Sequence, residues 1–429
     1  MGRRIPSIAI ACALACTPTA AAALEPLARY LEAGRSHAAE ARETAATVTA
    51  RKAETRAERA GLFPALEASA GYTRNQFDIV ARIPNAAGGF DEATFTPRNQ
   101  LDASVTLTVP LLDLAAIRRT QSARASEQAA VRDRTVALVD LDDRIVAAYT
   151  NLLAYEALSR SAEGGLDAAR ANLEVVRARE SGGLASDLDV RRATAQVAAA
   201  EQAIAEASLR KRSAARELEA ITGIAVADPI PAPPADLRAE AALPTWLDGL
   251  EGTDEVASAR TKIRAAEANL RARRSVFLPL LSARATERLT NAAGFGQPAQ
   301  WAVGVTLTAR FDVQAIHRAR AERANVAASE ARFDLAKRSK RLEIEDAHDR
   351  VESLRVRAVA AASEAEASQA AIAVAQARYE GGTATQLEVV QALRDGFVAE
   401  ASRIQATSEL SYARAQLRLA AGRGVEDLR

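Results

Sequence analysis

The sequence has little cysteine, few aromatic residues and no excess of charge, and each shortage excludes a class of protein. Both cysteines, Cys12 and Cys16, lie near the start, so residues 17–429 cannot contain a disulfide framework. Aromatic residues make up only 4% of the chain, which argues against wide globular cores. The 56 lysines and arginines nearly balance 55 aspartates and glutamates, giving a net charge of +1 that predicts no nucleic-acid partner.

Motifs of catalytic and metal sites are also missing. The histidines, His37, His317 and His348, are far apart, and none has the spacing of a zinc site. The chain has neither a glycine-rich phosphate loop nor a catalytic triad motif. We therefore expect a protein that is not an enzyme, with no catalytic residue, no cofactor and no metal.

Long hydrophobic runs are missing after the first residues. No later stretch approaches the roughly 20 apolar residues of a membrane helix, so any membrane span would have to be a closed β-barrel. A basic start, a short apolar segment and Ala21-Ala22-Ala23 predict a secretory signal peptide over residues 1–23. Alternatively, Cys16 is the lipid-bearing residue of a lipoprotein signal, although the leucine usual three positions before it is absent.

What the chain does contain is a repeat at an offset of about 199 residues. In each copy an alanine-rich helical pattern enters a Gly-Gly turn, at Gly182-Gly183 or Gly381-Gly382, and continues as a second helical pattern. Upstream, segment 105–117 matches segment 305–316. Duplication of one such unit indicates a tandemly repeated helical assembly rather than an enzyme with a single pocket.

The first repeat, residues 24–227, begins with helix and continues as two strands. Alternation of apolar and polar residues predicts these strands at about 66–77 and 101–109, with a long loop over 78–99 between them. A long helical hairpin follows, with its tip at 181–184. The face alternation of the second strand is the pattern expected of a lipid-facing barrel strand.

The second repeat, residues 254–429, follows a proline-rich linker or equatorial segment over 228–253. It has the same order: a helix, two strands at about 281–289 and 300–308, and a long helical hairpin with its tip at 380–384. The halves are thus predicted to have one architecture.

Two of the predicted helices are long. The helix that begins near Leu114 extends to Ser181, about 100 Å at 1.5 Å per residue. Gly164-Gly165 interrupts its pattern, but the matching residues of the second repeat lie in unbroken helix, so we expect the helix to continue. The first helix is predicted to be uninterrupted from Leu24 to about Arg59, since no glycine or proline occurs in its second half.

The order of elements, the strand-to-helix motifs Leu111-Leu112-Asp113 and Arg310-Phe311-Asp312, and the helix-Gly-helix tips resemble the TolC-like outer membrane efflux proteins. These are the outer membrane factors of tripartite efflux or secretion systems. The resemblance covers nearly the whole chain after residue 23. One departure is that Leu114 and Val313 follow the aspartate of each motif, where the family often has glycine.

This resemblance implies a mainly α fold with a β-barrel. Long antiparallel helical hairpins would form an α-barrel tunnel, and each protomer would give four strands to a trimeric, 12-stranded transmembrane β-barrel. Four strands are too few to close a membrane barrel, which independently predicts oligomerisation.

The implied function is that of an outer membrane channel, a passive exit duct of a tripartite efflux or type I secretion system. It would lie in the bacterial outer membrane and extend into the periplasm. The implied partners are further copies of the chain in a homotrimer, a periplasmic adaptor (membrane fusion) protein, an inner-membrane transporter and outer membrane lipid. Export of drugs, metal ions or proteins remains open.

The resemblance also implies roles for three sets of residues. The hairpin tips would contact the adaptor, through Ser181, Gly182, Gly183, Leu184, Gly381, Gly382, Thr383 and Ala384. Residues beside the tips would form the tunnel gate: Asp187, Asp189, Arg378, Tyr379, Glu388 and Gln391. An aromatic girdle at the membrane edge would include Trp301 and Phe311.

Each role has a simpler alternative. The Gly-Gly turns are also explained as helix C-caps, and the acidic residues as charges that complement helix N-termini rather than carboxylate rings that favour cations. The aromatic residues are also explained by core or interfacial packing. For the whole chain, the alternative is a periplasmic coiled-coil scaffold or adaptor without a membrane barrel, and the alternation over 101–109 counts against it.

Overall fold

The computed structural model describes residues 24–425 except residues 85, 235 and 295. The signal peptide predicted over residues 1–23 and the alternative lipid attachment at Cys16 lie outside the described residues. In the described part, no helix is both long enough and apolar enough to cross a membrane.

The two halves have the same order of main elements: helix, strands, long helical hairpin. The first half contains α1 (Leu27–His37), α2 (Ala39–Ala60), β1 (Ala65–Arg74), β2 (Ile79–Pro84), β3 (Phe90–Thr96), β4 (Asn99–Asp113), α3 (Leu114–Ser181) and α4 (Asp187–Thr222). The second half contains α5 (Leu243–Leu247), α6 (Asp254–Arg274), β5 (Leu280–Thr290), β6 (Ala299–Thr308), α7 (Val313–Glu380) and α8 (Gln386–Ala420). Helices α3 and α7 have 68 residues each, which makes them about 100 Å long.

The first helix is interrupted, contrary to the sequence prediction. The chain takes an extended conformation at Ala38, with φ of −56° and ψ of 141°, and this residue separates α1 from α2. Ala38 is buried in a core that includes Ile145 of α3. A Cβ at Gly34 would overlap the Ile145 side chain, so α1 and α3 are in very close contact. Tertiary packing therefore overrides helix propensity at a position that no glycine or proline marks.

The segment 78–99 is not a long loop, as the sequence predicted, but contains an antiparallel hairpin. Strand β2 pairs with β3 as far as Pro84, which lies opposite Phe90. Gly88, in the connection between the strands, has φ of 80°, a conformation that side chains other than glycine rarely adopt. Pro84 is thus the last residue of a strand, and Gly88 belongs to the turn of a hairpin.

The other strands differ from the predicted ranges mainly at their ends. Strand β1 ends at Arg74 rather than near residue 77, and β4 continues to Asp113 rather than ending near residue 109. The alternation of β4 is lost at Pro110, where the register with β5 shifts, but pairing resumes and extends to Asp113 opposite Leu280. Because a bulge breaks the strict alternation of the two faces, the sequence pattern alone does not show that the strand continues beyond it.

Four strands form one antiparallel sheet in the order β1-β4-β5-β6, with β1 and β6 at its edges. Its register places apolar residues on the same face, for example Leu66 opposite Leu107 and Ala285 opposite Val303. We call this the apolar sheet face. Its large exposed side chains are Leu66, Tyr72, Leu101, Val105, Leu107, Leu289, Trp301, Val303, Val305 and Leu307.

The opposite face of the sheet is polar. Ser69 and Ser104 share a hydrogen bond of 2.9 Å between β1 and β4. Asp102 of β4 accepts a 2.7 Å charged hydrogen bond from Arg288 of β5. The period of two therefore separates a mainly apolar surface, which also carries Glu287 opposite Val105 and Trp301, from a hydrophilic one.

The two long hairpins, α3 with α4 and α7 with α8, pack side by side through α3 and α8. Helix α3 is continuous through Gly164-Gly165, as predicted. A Cβ at Gly165 would lie 3.6 Å from the Phe397 ring of α8, so small residues here allow the hairpins to approach. Near the tips, residues of all four helices form the tip cluster, whose buried members are Leu173, Val176, Ala193, Tyr379, Val389 and Leu393.

The linker between the halves is anchored to the helices. Arg414 of α8, whose side chain is 8% exposed, forms ion pairs with Asp236 at 2.7 Å and Glu240 at 3.1 Å. Trp246 of α5 is buried, and the Arg423 guanidinium lies 4.2 Å from its ring centroid. Burying a cation requires such partners, so these acidic residues fix the course of the linker.

Candidate functional site

Both hairpins turn through connections of the same length, residues 182–186 and 381–385. Gly183 and Gly382 have φ of 72° and 75°. In both turns the next amide donates to the carbonyl five residues earlier at 2.8 Å, which is the Schellman motif. The helix C-cap interpretation of the Gly-Gly turns is thus correct for the local geometry, and the second glycine of each pair is the one that the backbone requires.

A capping box begins the helix after each turn. The Ser186 amide donates to Asp189 Oδ2 at 3.1 Å, and the Asp189 amide donates to Ser186 Oγ at 3.3 Å. The equivalent distances between Thr385 and Glu388 are 3.1 and 3.4 Å. Two predicted gate residues, Asp189 and Glu388, therefore satisfy backbone amides at the starts of α4 and α8.

These hydrogen bonds stabilise the charged form of both carboxyl groups. The Ser186 hydroxyl and amide hold the pKa of Asp189 below its usual range. The Thr385 amide and hydroxyl do the same for the pKa of Glu388. Both groups are negatively charged at neutral pH.

Two other predicted gate residues lie on the same helical turns. Asp187 is exposed and forms an ion pair of 2.7 Å with Arg191. Gln391 is exposed one turn further along α8. A single chain places these residues beside its tips, and rings of carboxylates would require further copies.

Tyr379 connects the two tips. Its side chain is 8% exposed and lies in the tip cluster, and burial raises the pKa of its hydroxyl. Arg179, near the end of α3, donates from Nη1 to the carbonyl of Tyr379 at 2.6 Å and to that of Glu380 at 3.3 Å. Its guanidinium carbon lies 4.6 Å from the centroid of the Tyr379 ring. We call this set of interactions the tip contact.

Sequence reasoning missed Arg179 and selected Arg378, which occupies the equivalent position 199 residues later. In the structure, the Arg378 guanidinium donates to the Thr383 carbonyl of its own turn at 3.3 Å. Within one chain, the hydrogen bonds from one hairpin to the other at the tips are made by Arg179. The signal that could have identified Arg179 is its position, which matches that of Arg378 in the second repeat.

The proposed adaptor-contact residues are accessible. Leu184 is 73% exposed. Ala384 is partly buried, and the rest of the set is exposed: Ser181, Gly182, Gly183, Gly381, Gly382 and Thr383. The end of the molecule thus offers small side chains, backbone and the apolar side chain of Leu184 to a partner, and Leu188 and Leu387 are exposed in the first turns beyond the tips.

The predicted girdle residues lie at opposite ends of β6. Trp301 is 76% exposed on the apolar sheet face, and Phe311 is 87% exposed just after the strand. Trp301 lies seven residue steps before Thr308, which is about 23 Å along the strand.

The aspartates of the strand-to-helix motifs begin the long helices. Asp113 Oδ1 accepts the Ala116 amide at 2.7 Å, and Asp312 Oδ1 accepts the Gln314 amide at 2.9 Å. Both are N-caps, with Leu114 and Val313 as the first helical residues. No glycine is therefore needed at the junction.

Between the hairpins lies a cavity of about 650 Å³ that sequence reasoning did not find. Small residues of three helices line it, among them Gly165, Ala168, Ala199, Ala203 and Gly396. Among the residues that the structure describes, no group of three or more His, Cys, Asp or Glu side chains could hold a metal ion.

Comparison with known proteins gives concordant matches. The family model described as outer membrane efflux protein matches residues 34–224 and 249–423. Outer membrane protein OprJ of Pseudomonas aeruginosa is 27% identical over 408 residues, which cover 90% of this chain and 81% of OprJ.

Solved structures share the fold. The Campylobacter jejuni CmeC outer membrane channel superposes with a TM-score of 0.74 at 14% identity, over 98% of this chain and 94% of CmeC. The open state of the Neisseria gonorrhoeae MtrE outer membrane channel gives 0.73 at 19% identity, over 95% of this chain and 91% of MtrE.

Proposed function

The chain belongs to the outer membrane efflux protein family, and we propose that three copies of it close into a single duct through the outer membrane and periplasm. Members of this family are channel proteins rather than enzymes. The chain is accordingly an outer membrane efflux channel protein, located in the outer membrane and extending into the periplasm. The oligomer, the partners and the roles of single residues are the content of the proposal.

The observation that carries the proposal is a sheet with one exposed apolar face and two open edges, joined directly to two helices of about 100 Å. Since neighbouring strands are antiparallel throughout, β1 and β6 run in opposite directions. The β6 edge of one copy can therefore pair with the β1 edge of the next. Four strands from each of three copies give a barrel of 12, within the range of known membrane barrels.

In this barrel the apolar sheet face contacts lipid and the polar face lines the lumen. The ion pair between Asp102 and Arg288 then lies on the wall of the water-filled pore. Trp301 and Phe311 lie near the two edges of the apolar band, as girdle residues do. The repeats, residues 24–227 and 254–429, contribute equivalent hairpins to the tunnel below, and the linker over 228–253 surrounds its middle.

The hairpin tips form the periplasmic end of the duct. Exposed backbone and the side chain of Leu184 contact a periplasmic adaptor protein there, and an inner-membrane transporter supplies the energy for export. Asp187, Asp189 and Glu388 from three copies converge as a gate that constricts the tunnel and favours cations.

A periplasmic scaffold without a barrel is the weaker alternative. Such a scaffold would have no use for a four-stranded sheet with large exposed apolar residues on one face. Open edge strands would also expose a soluble scaffold to aggregation.

The experiment that tests the proposal is planar-bilayer conductance of protein purified from outer membranes, with its mass in detergent measured on the same sample. We expect discrete channels from a particle that contains three chains; the 429 residues of one chain have a mass of 45.4 kDa. A monomer without conductance would overturn the duct and favour the scaffold.

A further inference from the structure

The polar face of the sheet carries charges of both signs. Its register places four charged side chains on this face: Glu67, Asp102, Arg284 and Arg288. Arg288 donates to Asp102 at 2.7 Å, so these two form an ion pair. Among the residues that the structure describes, none forms an ion pair with Glu67 or Arg284, and both side chains are exposed. Each chain thus contributes one unpaired carboxylate and one unpaired guanidinium to this face.

Arg284 of β5 has uncharged neighbours on both sides. It lies opposite Thr108 of β4 and opposite Gly304 of β6, and Thr108 lies opposite Ala65 of β1. A Cβ at Gly304 would meet nothing within 4 Å, so the space over this neighbouring strand is open. The side chain of Arg284 can therefore extend from the sheet without meeting a carboxylate of its own row.

The repeat predicts how the sheets of two copies meet. Ala65 opposite Thr108, in the pairing of β1 with β4, recurs as Leu280 opposite Thr308 in the pairing of β5 with β6. Strand β5 is thus the equivalent of β1 at an offset of 215 residues, and β6 is the equivalent of β4 at an offset of 200. With these offsets, the observed pairing of β4 with β5 predicts the register of β6 with β1 of the next copy.

This register gives Glu67 a partner. The pair of Pro110 and Ser282 becomes Arg310 opposite Glu67 of the next copy. Arg310 is exposed, and in the described structure it belongs to no ion pair of its own chain. Side chains directly opposite each other on one face of a sheet have Cβ atoms about 4.5–5.5 Å apart, which suits an ion pair.

The row of Arg284 remains without a carboxylate in the assembled barrel. It continues from Gly304 to Thr73 of the next copy, because Ser104 opposite Arg288 is the equivalent pair. Three copies therefore bring three unpaired guanidiniums to one level of the lumen. We propose that the three Arg284 side chains form a ring that binds one small multivalent oxyanion of the phosphate or sulfate type. This inference rests on the trimeric duct proposed above, which turns the polar face inward.

The chemistry and the width of the lumen suit such a ligand. A guanidinium offers an oxyanion two parallel hydrogen bonds, and rings of arginine are one means by which pores favour anions and phosphates. Barrels of about eight strands are filled by side chains, whereas barrels of about 16–18 strands leave an aqueous channel. A barrel of 12 strands lies between these limits, so long arginine side chains from three walls can approach one ligand. The sheet end of the duct then favours anions, whereas the carboxylates proposed at the tips favour cations.

Inorganic tripolyphosphate is a suitable probe, because it is small and carries several negative charges. Its binding to detergent-purified particles of the full chain is measured by isothermal titration calorimetry at low ionic strength, with the mass of the particle determined on the same sample. We expect one tripolyphosphate per three chains, since a ring on a three-fold axis makes a single site. Affinity should fall as salt is added, because exposed charges are screened.

Substitutions at two facing positions test the ring. Arg284→Ser should weaken binding by about tenfold or more, and the strand can accept serine because Ser69 occupies the matching position of β1. Arg284→Lys keeps the charge but not the two parallel hydrogen bonds, so its affinity should be intermediate. Thr108→Glu should also remove binding, because it places a carboxylate directly opposite Arg284, whereas Thr108→Gln should not.

The matched control is Arg74→Ser. Arg74 is exposed at the end of β1, opposite Asn99, and belongs to the other face of the sheet, so its removal should leave the affinity unchanged. If a particle of three chains binds no tripolyphosphate, binds three, or binds one equally well after Arg284→Ser, the ring is overturned while the duct stands. An equal loss of affinity in Arg74→Ser would also refute the ring, since any exposed arginine would then serve. If the particle does not contain three chains, the proposed function itself fails.

Discussion

The sheet and the hairpin tips lie at opposite ends of the molecule, and they differ in whether their apolar surfaces and backbone groups are satisfied within one chain. The sheet leaves large apolar side chains and two strand edges exposed, so it requires lipid and other copies of the chain. The tips satisfy their own backbone through Schellman motifs and capping boxes. One end is thus completed only by assembly, whereas the other is folded in advance and available to partners.

Energy scales support this division. A barrel strand in lipid tolerates no unpaired backbone groups, because each costs several kcal/mol in hydrocarbon. A tip in water loses little when one hydrogen bond is exchanged for water, since the net value is about 1 kcal/mol. Changes in the sheet should therefore abolish the assembly, and changes at the tips should adjust its gating or its partners.

The largest expected effect follows from a charge on the apolar sheet face. Leu107→Arg should prevent assembly in the outer membrane, because a cation in lipid costs about 2–4 kcal/mol per chain at mid-bilayer. Thr106→Arg, on the adjacent residue that faces the lumen, should assemble. Heat-resistant trimers in outer membrane fractions provide the measurement, and equal assembly of both variants would show that the face assignment is wrong.

The next effect concerns the required glycine of the second tip. Gly382→Glu should abolish export yet leave trimers in the membrane, because a side chain at φ of 75° costs about 1–2 kcal/mol locally and places bulk and charge at the adaptor surface. Gly381→Ala, at φ of −73°, is the control and should export normally. Export that survives the first change would remove this tip from the adaptor surface.

A smaller change is expected from removal of the tip contact within a chain. Arg179→Ala loses hydrogen bonds to two carbonyls of α7 and the stacking on Tyr379, for a local destabilisation of about 1 kcal/mol. Faster amide exchange in the last turns of α3 and α7, with unchanged exchange in the sheet, is the expected result. Arg177→Ala removes only an exposed ion pair with Glu174, so amide exchange in the last turns of α3 and α7 and in the sheet should not change.

The sequence predicted the long helices, the four sheet strands and the tips because each has a local signal that recurs in the other repeat. Helix α3 was expected to continue through Gly164-Gly165 because the matching residues of the second repeat lie in unbroken helix, and the two Gly-Gly turns support each other in the same way. Where local and tertiary requirements conflict, prediction failed. Ala38, where the helix breaks, is buried in a core that includes Ile145, a residue more than 100 positions away in the sequence.

At the candidate site, sequence reasoning identified positions better than partners. It placed Tyr379 and the acidic residues beside the tips, but it could not show that Asp189 and Glu388 bond to Ser186 and Thr385. Nor could it show that Arg179, rather than Arg378, crosses between the hairpins. Equivalent positions of a repeat have the same sequence environment, so only the three-dimensional arrangement distinguishes them.

The roles of the acidic residues as caps and as gate can be separated by two kinds of substitution. Asp189→Asn with Glu388→Gln removes both charges but retains side chains that can accept the capping hydrogen bonds. If a carboxylate ring constricts the tunnel, this variant should raise single-channel conductance or weaken block by multivalent cations. Asp189→Ala with Glu388→Ala should add fraying of α4 and α8. If neither pair alters conductance or block, these residues are caps only.

The smallest effect expected at the tips is their response to acid. Hydrogen bonds from the capping partners lower the pKa values of Asp189 and Glu388, so both caps favour the charged carboxylate. The stability that they contribute is fully present above the ordinary pKa values of about 4 and is lost as pH falls through the lower values of the folded state. Amide protection in the first turns of α4 and α8 should therefore stay constant from about pH 8 to 5 and decrease below about pH 4. Protection in the sheet strands should not follow this curve, and a parallel loss at both ends would mean that the tips do not respond independently of the barrel.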